Sequence, residues 1–203
     1  MVKRTVMASI LALSTTVTML VGPALADTYA NQSASANTVT FAEAATSVKA
    51  SLAETGQLPP GVTMDKLIKP LAPLNASDQE KFNAIMTIAK SKLGTPYVWG
   101  HNEDKGTKGF DCSNFTSYVY HHALGYKMST ASRTQNRSVG WTVPKSQMRP
   151  GDLVIFNNGS HVSIYAGNNQ VIQEGGGLGK VGYLSIAPKT YWGKHITAVK
   201  RMY

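Results

Sequence analysis

Apolar and polar positions follow three successive regimes along the chain. Lys3 and Arg4 precede an apolar run from Val6 to Val21, diluted by Ser and Thr, that ends at Gly22, Pro23 and Ala24-Leu25-Ala26. A basic start, a short apolar run and an A-x-A site predict a secretory signal over residues 1–26, removed by cleavage. The run is short for a bilayer span and its far end carries helix-breaking residues, which disfavours a membrane anchor. From Asp27 to about Thr40 the chain is Ala, Asn, Ser and Thr with almost no large apolar residue, the pattern of a tether. Thr40-Phe41-Ala42-Glu43 resembles a capping box and predicts a short Ala-rich helix to Glu54, closed by Gly56 and Pro59-Pro60-Gly61. Residues 62–75 carry Pro70 and Pro73 among Leu and Ile, and predict an extended arm lying on the domain.

Helical periodicity follows. Ser77-Asp78-Gln79-Glu80 is a capping box, and Phe82, Ile85, Met86, Ala89 and Leu93 recur at helical spacing before Gly94 and Pro96. A loop from Tyr97 leads to Asp111, an N-cap residue, and a second helical stretch runs from Cys112 to a stop at Gly125. After Pro150-Gly151 the period shortens to β-type runs over 152–156, 161–166, 170–173, 181–186 and 197–202, separated by Asn and Gly turns. Helices followed by an antiparallel meander define an α+β domain. The pattern divides the chain into a signal (1–26), a leader and arm (27–76) and a folded domain (77–203), without internal repeats.

Composition narrows the environment. The 203 residues carry 20 Lys+Arg against 11 Asp+Glu, a formal charge of +9, and a single Cys. Loss of residues 1–26 removes Lys3 and Arg4 and leaves +7 on 177 residues. On an exported chain this excess favours an anionic wall or membrane surface as partner over nucleic acid. One thiol excludes an internal disulfide framework, so Cys112 is buried and inert, intermolecular or reactive.

Its position after a glycine-rich loop favours reactivity. In the first turn of a helix capped by Asp111, the dipole and free N–H groups favour thiolate and can hold an oxyanion. A thiol nucleophile needs an imidazole in reach. His121 and His122 lie roughly 13–15 Å along the same helix at 1.5 Å per residue, too far away. His101 in the loop and His195 in a late turn read as solvated polar residues. His161 opens a strand directly after a turn, where it can be presented to the thiol, although a plain strand edge fits the same spacing. Gln173, twelve residues on, lies on the next strand of a hairpin and offers an amide oxygen to orient the ring; a solvent-facing strand residue is the alternative. Glu174 is its neighbour, sent to the opposite face by strand alternation. The lone Cys and scattered His form no zinc set, and no cofactor is expected.

Four ordered motifs carry a resemblance: Tyr97-Val98-Trp99-Gly100, Gly109-Phe110-Asp111-Cys112-Ser113, Arg149-Pro150-Gly151-Asp152-Leu153-Val154-Ile155-Phe156 and His161-Val162-Ser163-Ile164-Tyr165. From about residue 80 to 203 the chain resembles the NlpC family of papain-like cysteine peptidases that cut bacterial peptidoglycan. The resemblance implies helices packed on an antiparallel sheet with the nucleophile Cys112 at a helix N-terminus, His161 as base and Gln173 as the polar third residue, where many members carry His. It also implies Tyr97, Asp111 and Ser113 as substrate-pocket residues. Two departures stand out: Asn114 replaces the usual Gly after D-C-S, and Ser132-Arg133-Thr134-Gln135 matches the family's Arg-Thr-Ser segment only with a gap, which leaves Arg133 outside the site. Trp99, Tyr118 and Tyr120 can either shape the groove or pack in the core, and core packing is the favoured reading.

The implied activity is hydrolysis of a stem-peptide amide, typically the bond from the D-glutamyl side-chain carboxyl to the following diamino acid, by a secreted or wall-associated enzyme. An amidase acting between glycan and stem, a transferase using the same thioester, and a non-catalytic wall-binding protein are the competing readings. The implied partners are peptidoglycan stem peptides and anionic wall polymers, with no nucleic acid and no membrane segment after signal cleavage.

Overall fold

The computed structural model describes residues 57–203. The signal, the tether and the Thr40–Glu54 helix expected from sequence lie outside the described residues. Helix α1 (Asp78–Ser91) starts where the capping box predicts: Ser77 Oγ accepts from Glu80 N–H at 3.3 Å while Glu80 Oε2 accepts from Ser77 N–H at 2.8 Å. Its buried face of Ala84, Ile85, Met86 and Ala89 packs on helix α2 (Cys112–Leu124). Helix α2 starts at Asp111 and ends at Gly125, whose φ of 77° is the left-handed conformation that glycine adopts without strain. Phe115, Val119, Tyr120, Ala123 and Leu124 are buried on it, which makes α2 the central helix between α1 and the sheet. Burial of each such large apolar side chain contributes about 1.5–3 kcal/mol.

The arm expected over residues 62–75 covers the C-terminal end of α2. Strand β1 (Thr63–Met64) pairs antiparallel with β2 (Tyr126–Lys127), and Asp65 N–H donates to Gly125 C=O at 2.8 Å. Ala72 N–H donates to Ala123 C=O at 2.9 Å, so the arm satisfies carbonyls that a helix end leaves without partners. Val62 and Ala72 are buried with the main core.

After α3 (Ser132–Ser138), six strands form one antiparallel sheet in the order β3-β8-β4-β5-β6-β7: β3 (Trp141–Val143), β4 (Leu153–Phe156), β5 (His161–Gly167), β6 (Gln170–Gln173), β7 (Gly182–Ser185) and β8 (Ile196–Arg201). Strand alternation divides the apolar residues between two cores. Leu153, Ile155, Val162, Ile164 and Ile172 face the helices, while Val154, Phe156, Val171 and Ile186 lie on the other face beneath Trp192 of the short helix α4 (Tyr191–Lys194). The β4 and β8 strands are fastened by a buried ion pair: Arg201 reaches Asp152 through Nε at 2.8 Å and Nη2 at 3.1 Å. Among the described residues no helix is long and apolar enough to cross a membrane.

Candidate active site

The start of α2, the start of β5 and the end of β6 meet at a groove of about 950 Å³. Cys112, His161, Tyr97, Asp111 and Ser113 all line it, so the structure brings together five of the six residues singled out from sequence. The sixth, Gln173, stands one layer behind, fully buried. His101 and His195 are elsewhere: the His101 ring pairs with Lys108 C=O at 2.9 Å, and His195 stacks on Tyr191.

The thiol is held between helix and sheet. Backbone N–H groups of Val162, Ser113 and Cys112 itself favour the charged sulfur, but burial outweighs them and pushes the Cys112 pKa up. Burial thus reverses the thiolate preference expected at a helix start: with Cys112 only 8% exposed, loss of water costs the thiolate more than the N–H groups return. His161, packed against Phe156 and Trp192, is driven the other way, to a pKa of about 4, again by burial. Near neutral pH both groups are therefore uncharged.

Register explains how Gln173 reaches the ring. Ile164 pairs with Ile172, which sets Gln173 diagonal to His161 on the same sheet face. Gln173 Nε2 donates to Gly175 C=O at 3.3 Å, which leaves the amide oxygen turned toward the imidazole. His161 Nε2 and Gln173 Oε1 are both buried without a well-aligned partner, yet the amide still favours the protonated ring, second to burial. With Nε2 on this side, Nδ1 is the nitrogen left for the thiol. Gly176 backs the amide so closely that a Cβ there would lie 2.5 Å from Gln173 Oε1, and Gly175 would meet the Tyr97 ring at 3.0 Å. Both glycines have positive φ, so the turn sets the Gln173 and Tyr97 positions.

Asp111 performs the capping role in full. Oδ1 accepts from Asn114 N–H at 2.8 Å and Ser113 Oγ at 2.9 Å, and Oδ2 from Gly100 N–H at 2.9 Å and Asn114 Nδ2 at 2.8 Å. Asn114, the departure from glycine, thus clamps the helix start, and its Oδ1 accepts from Asn102 Nδ2 at 3.2 Å to tie in the preceding loop. From α3, buried Gln135 donates to Ser113 C=O at 3.0 Å and braces the same turn, a role that no sequence pattern marks.

Two aromatic and basic positions differ from expectation. Trp99, expected in the core, lines the groove and is 80% exposed, whereas Tyr120 is buried and Tyr118 packs on Phe110. The reason is local: Gly100 N–H is tied to Asp111, and the chain turns there with φ 74°, leaving the indole on the rim. Arg133, expected outside the site because its motif matches with a gap, lines the groove, as does Lys105, since α3 packs beside α2. These cations give the groove an affinity for carboxylates. Arg133→Gln is expected to raise KM several-fold for an acidic stem peptide with kcat little changed; an unchanged KM would remove Arg133 from the binding surface.

Glu174, on the helix-facing side of β6, is fully buried beneath the groove. Its Oε1 accepts from Gly175 N–H at 3.0 Å, and burial raises its pKa to about 7, with a smaller push from Asp111. The two perturbed groups act oppositely on stability. The His161 contribution is present above its ordinary pKa of 6.5 and lost as pH falls through about 4; the Glu174 contribution is present below 4.5 and lost as pH rises through about 7. Removal of one exposes the other. Glu174→Gln is expected to gain about 2–3 kcal/mol relative to the parent between pH 4 and pH 8 in urea unfolding. An equal difference at both pH values would show that Glu174 does not titrate between them.

A helix-borne thiol, a strand-borne imidazole and an amide behind it, on helices packed against an antiparallel sheet, define a papain-like α+β domain. The chain belongs to the NlpC/P60 family, whose model matches residues 94–201. It is 44% identical over 99 residues to "Probable endopeptidase p60" of Listeria grayi, a match covering 47% of this chain and 18% of that protein. It is 34% identical over 123 residues to "Gamma-DL-glutamyl hydrolase" of Bacillus subtilis strain 168, covering 58% of this chain and 28% of that one. The chain thus spans a minor part of these relatives' length. Among solved structures it is similar to a variant of the Resuscitation Promoting Factor Interacting protein RipA, at TM-score 0.51 and 30% identity over 61% of this chain and 62% of the other. It shares its fold with RipB of Mycobacterium tuberculosis at TM-score 0.54 and 24% identity, over 83% and 88% of the two chains.

Proposed function

We propose that the protein is a secreted cysteine endopeptidase that hydrolyses peptidoglycan stem peptides at the bond between the D-glutamyl side-chain carboxyl and the diamino acid that follows. The observation that carries this reading is the convergence of Cys112 and His161 on one groove, with Gln173 buried behind the imidazole. The names of the relatives, an endopeptidase and a γ-glutamyl hydrolase, support the choice of bond.

Because thiol and imidazole start neutral, proton transfer accompanies attack. Cys112 Sγ adds to the carbonyl carbon as His161 Nδ1 takes its proton, and N–H groups at the start of α2 hold the oxyanion. The imidazolium then protonates the departing amine, leaving a thioester on Cys112. Water, deprotonated by His161, attacks the thioester and releases the acid and the thiol. Gln173 Oε1 holds the ring tautomer throughout. Tyr97, Ser113 and Trp99 line the groove beside the sulfur, and Arg133 and Lys105 receive the carboxylates of the stem. The +7 charge retains the exported chain on anionic wall polymers, an attraction that salt weakens.

Digestion of purified muropeptides followed by mass spectrometry tests the bond. Release of a dipeptide from the stem is expected. Free lactyl-glycan would identify an amidase, and a new amide joined to an added amine would identify a transferase. Binding to walls without any cleavage would leave a wall-binding protein.

A further inference from the structure

A second constellation lies away from the groove, at the far end of α2. Asp104 stands on the loop before Asp111 and faces two successive histidines: its Oδ2 is 3.0 Å from His121 Nδ1 and its Oδ1 is 2.6 Å from His122 Nε2. One potential ligand atom from each of the three lies within 4.8 Å of the others. The other nitrogen of His121, Nε2, is 3.0 Å from Oδ2 of Asp65 on the arm. Asp65 is itself anchored, accepting from Leu67 N–H at 2.9 Å and pairing with Lys127 Nζ at 3.0 Å, and these bonds hold its carboxyl well below the usual carboxylate range.

The charge arithmetic of this cluster is informative. A neutral imidazole carries one N–H, yet both His121 nitrogens face carboxylates. A single ring proton matches only one of the two carboxylates, and a metal ion at Nδ1 would satisfy the other. Three features favour the ion. Two imidazoles and one carboxylate are the donors that zinc-class divalent ions prefer. A metal-binding histidine characteristically gives its remote N–H to a carboxylate, the role Asp65 is placed to fill. The side chains of Asp104 and His122 are 30% and 35% exposed, so the cluster opens to solvent on one side and leaves room for water ligands.

We propose that Asp104, His121 and His122 bind one divalent transition-metal ion of the zinc class, with Asp65 orienting His121 from behind. The ion takes the Nδ1 lone pair of His121, while the Nε2–H of that ring donates to Asp65. The ion joins the loop to α2, and Asp65 ties the arm to the same histidine. The loop end of this tie reaches the active site, because Asp104 N–H donates to Asn102 Oδ1 and Asn102 Nδ2 donates to Asn114 Oδ1 beside Asp111. Lys105, next to Asp104, lines the groove. Metal occupancy thus steadies one wall of the substrate groove from outside it.

Calorimetric titration of Zn2+, and separately Ni2+, into the Cys112→Ala protein tests the site without interference from the thiol. One ion per chain is expected, with affinity reduced at least about tenfold in Asp104→Asn and His122→Gln. Both substitutions fall on partly exposed side chains, and metal-free melting temperatures near that of the parent will show that each variant is folded. Saturating metal should raise the melting temperature of the parent by several degrees and leave those variants unmoved. The proposal is overturned by absence of saturable binding, or by binding that the two substitutions leave intact.

Discussion

Cys112→Ala is expected to lower kcat/KM for stem-peptide cleavage by roughly 10,000-fold or more. The thiol is the only group in the groove that can form the thioester, so substrate should still bind while turnover is lost. His161→Ala should cost nearly as much. The double substitution should cost little beyond either alone, because the two groups act in one proton transfer. The neutral resting state sharpens this expectation: with burial holding the Cys112 pKa up and the His161 pKa near 4, nucleophilic sulfur depends on His161 taking the proton during attack. A variant in which Cys112→Ala retained activity within a few-fold of the parent would remove the thiol from the chemistry. Amine release from a purified stem peptide measures all three variants.

The largest expected loss of stability lies at the start of β4, the end away from the Phe156–His161 pair. Asp152 is fully buried, accepts from Nε and Nη2 of the Arg201 guanidinium, and also accepts from Arg149 N–H at 2.9 Å. Burial raises its pKa and Arg201 opposes that rise. Arg201→Met leaves a carboxylate in a dry interior and is expected to cost about 3–5 kcal/mol. For a domain of this size that lowers the melting temperature by roughly 10 °C. Without its partner Asp152 protonates more readily, so the penalty should shrink as pH falls. Adding Asp152→Leu should restore much of the loss, because the stranded charge disappears with it. If Arg201→Met melted within about 2 °C of the parent, the pair would contribute no more than an exposed ion pair does.

What the sequence made legible follows from how local the determining interactions are. The Ser77–Glu80 box and the Asp111 and Gly125 stops act within a few residues of the helices they bound, so α1 and α2 fall where their caps predict. Strands β4, β5 and β6 were readable from alternation, and the hairpin at Gly167–Asn169 brought Gln173 to His161 as the spacing implied. Strand β3 was not legible: it has three residues and depends on pairing with Val199, Lys200 and Arg201 far along the chain. The β1 and β2 pair is shorter still. Helix α3 has no capping side chain and a polar composition, which hid both the bracing role of Gln135 and the place of Arg133 in the groove.

Within the site, the meeting of Cys112 and His161 at one groove was readable and their protonation was not. A helix start argues for thiolate only while water remains nearby, and the packing of β5 on α2 removes it. The arrangement of Asp104, His121 and His122 was hidden for a related reason. Distance along α2 excludes the histidines from the thiol, but only the loop fold reveals that they share another partner.

Rapid chemical quenching of the parent protein during turnover, followed by peptide mass analysis, tests whether Cys112 carries the acyl group. A transient adduct is expected on the peptide containing Cys112, equal in mass to the acyl half of the stem up to the D-glutamyl residue and labile to hydroxylamine. Product formation at the full rate with no adduct on Cys112 at any time, together with undiminished cleavage by Cys112→Ala, would contradict it.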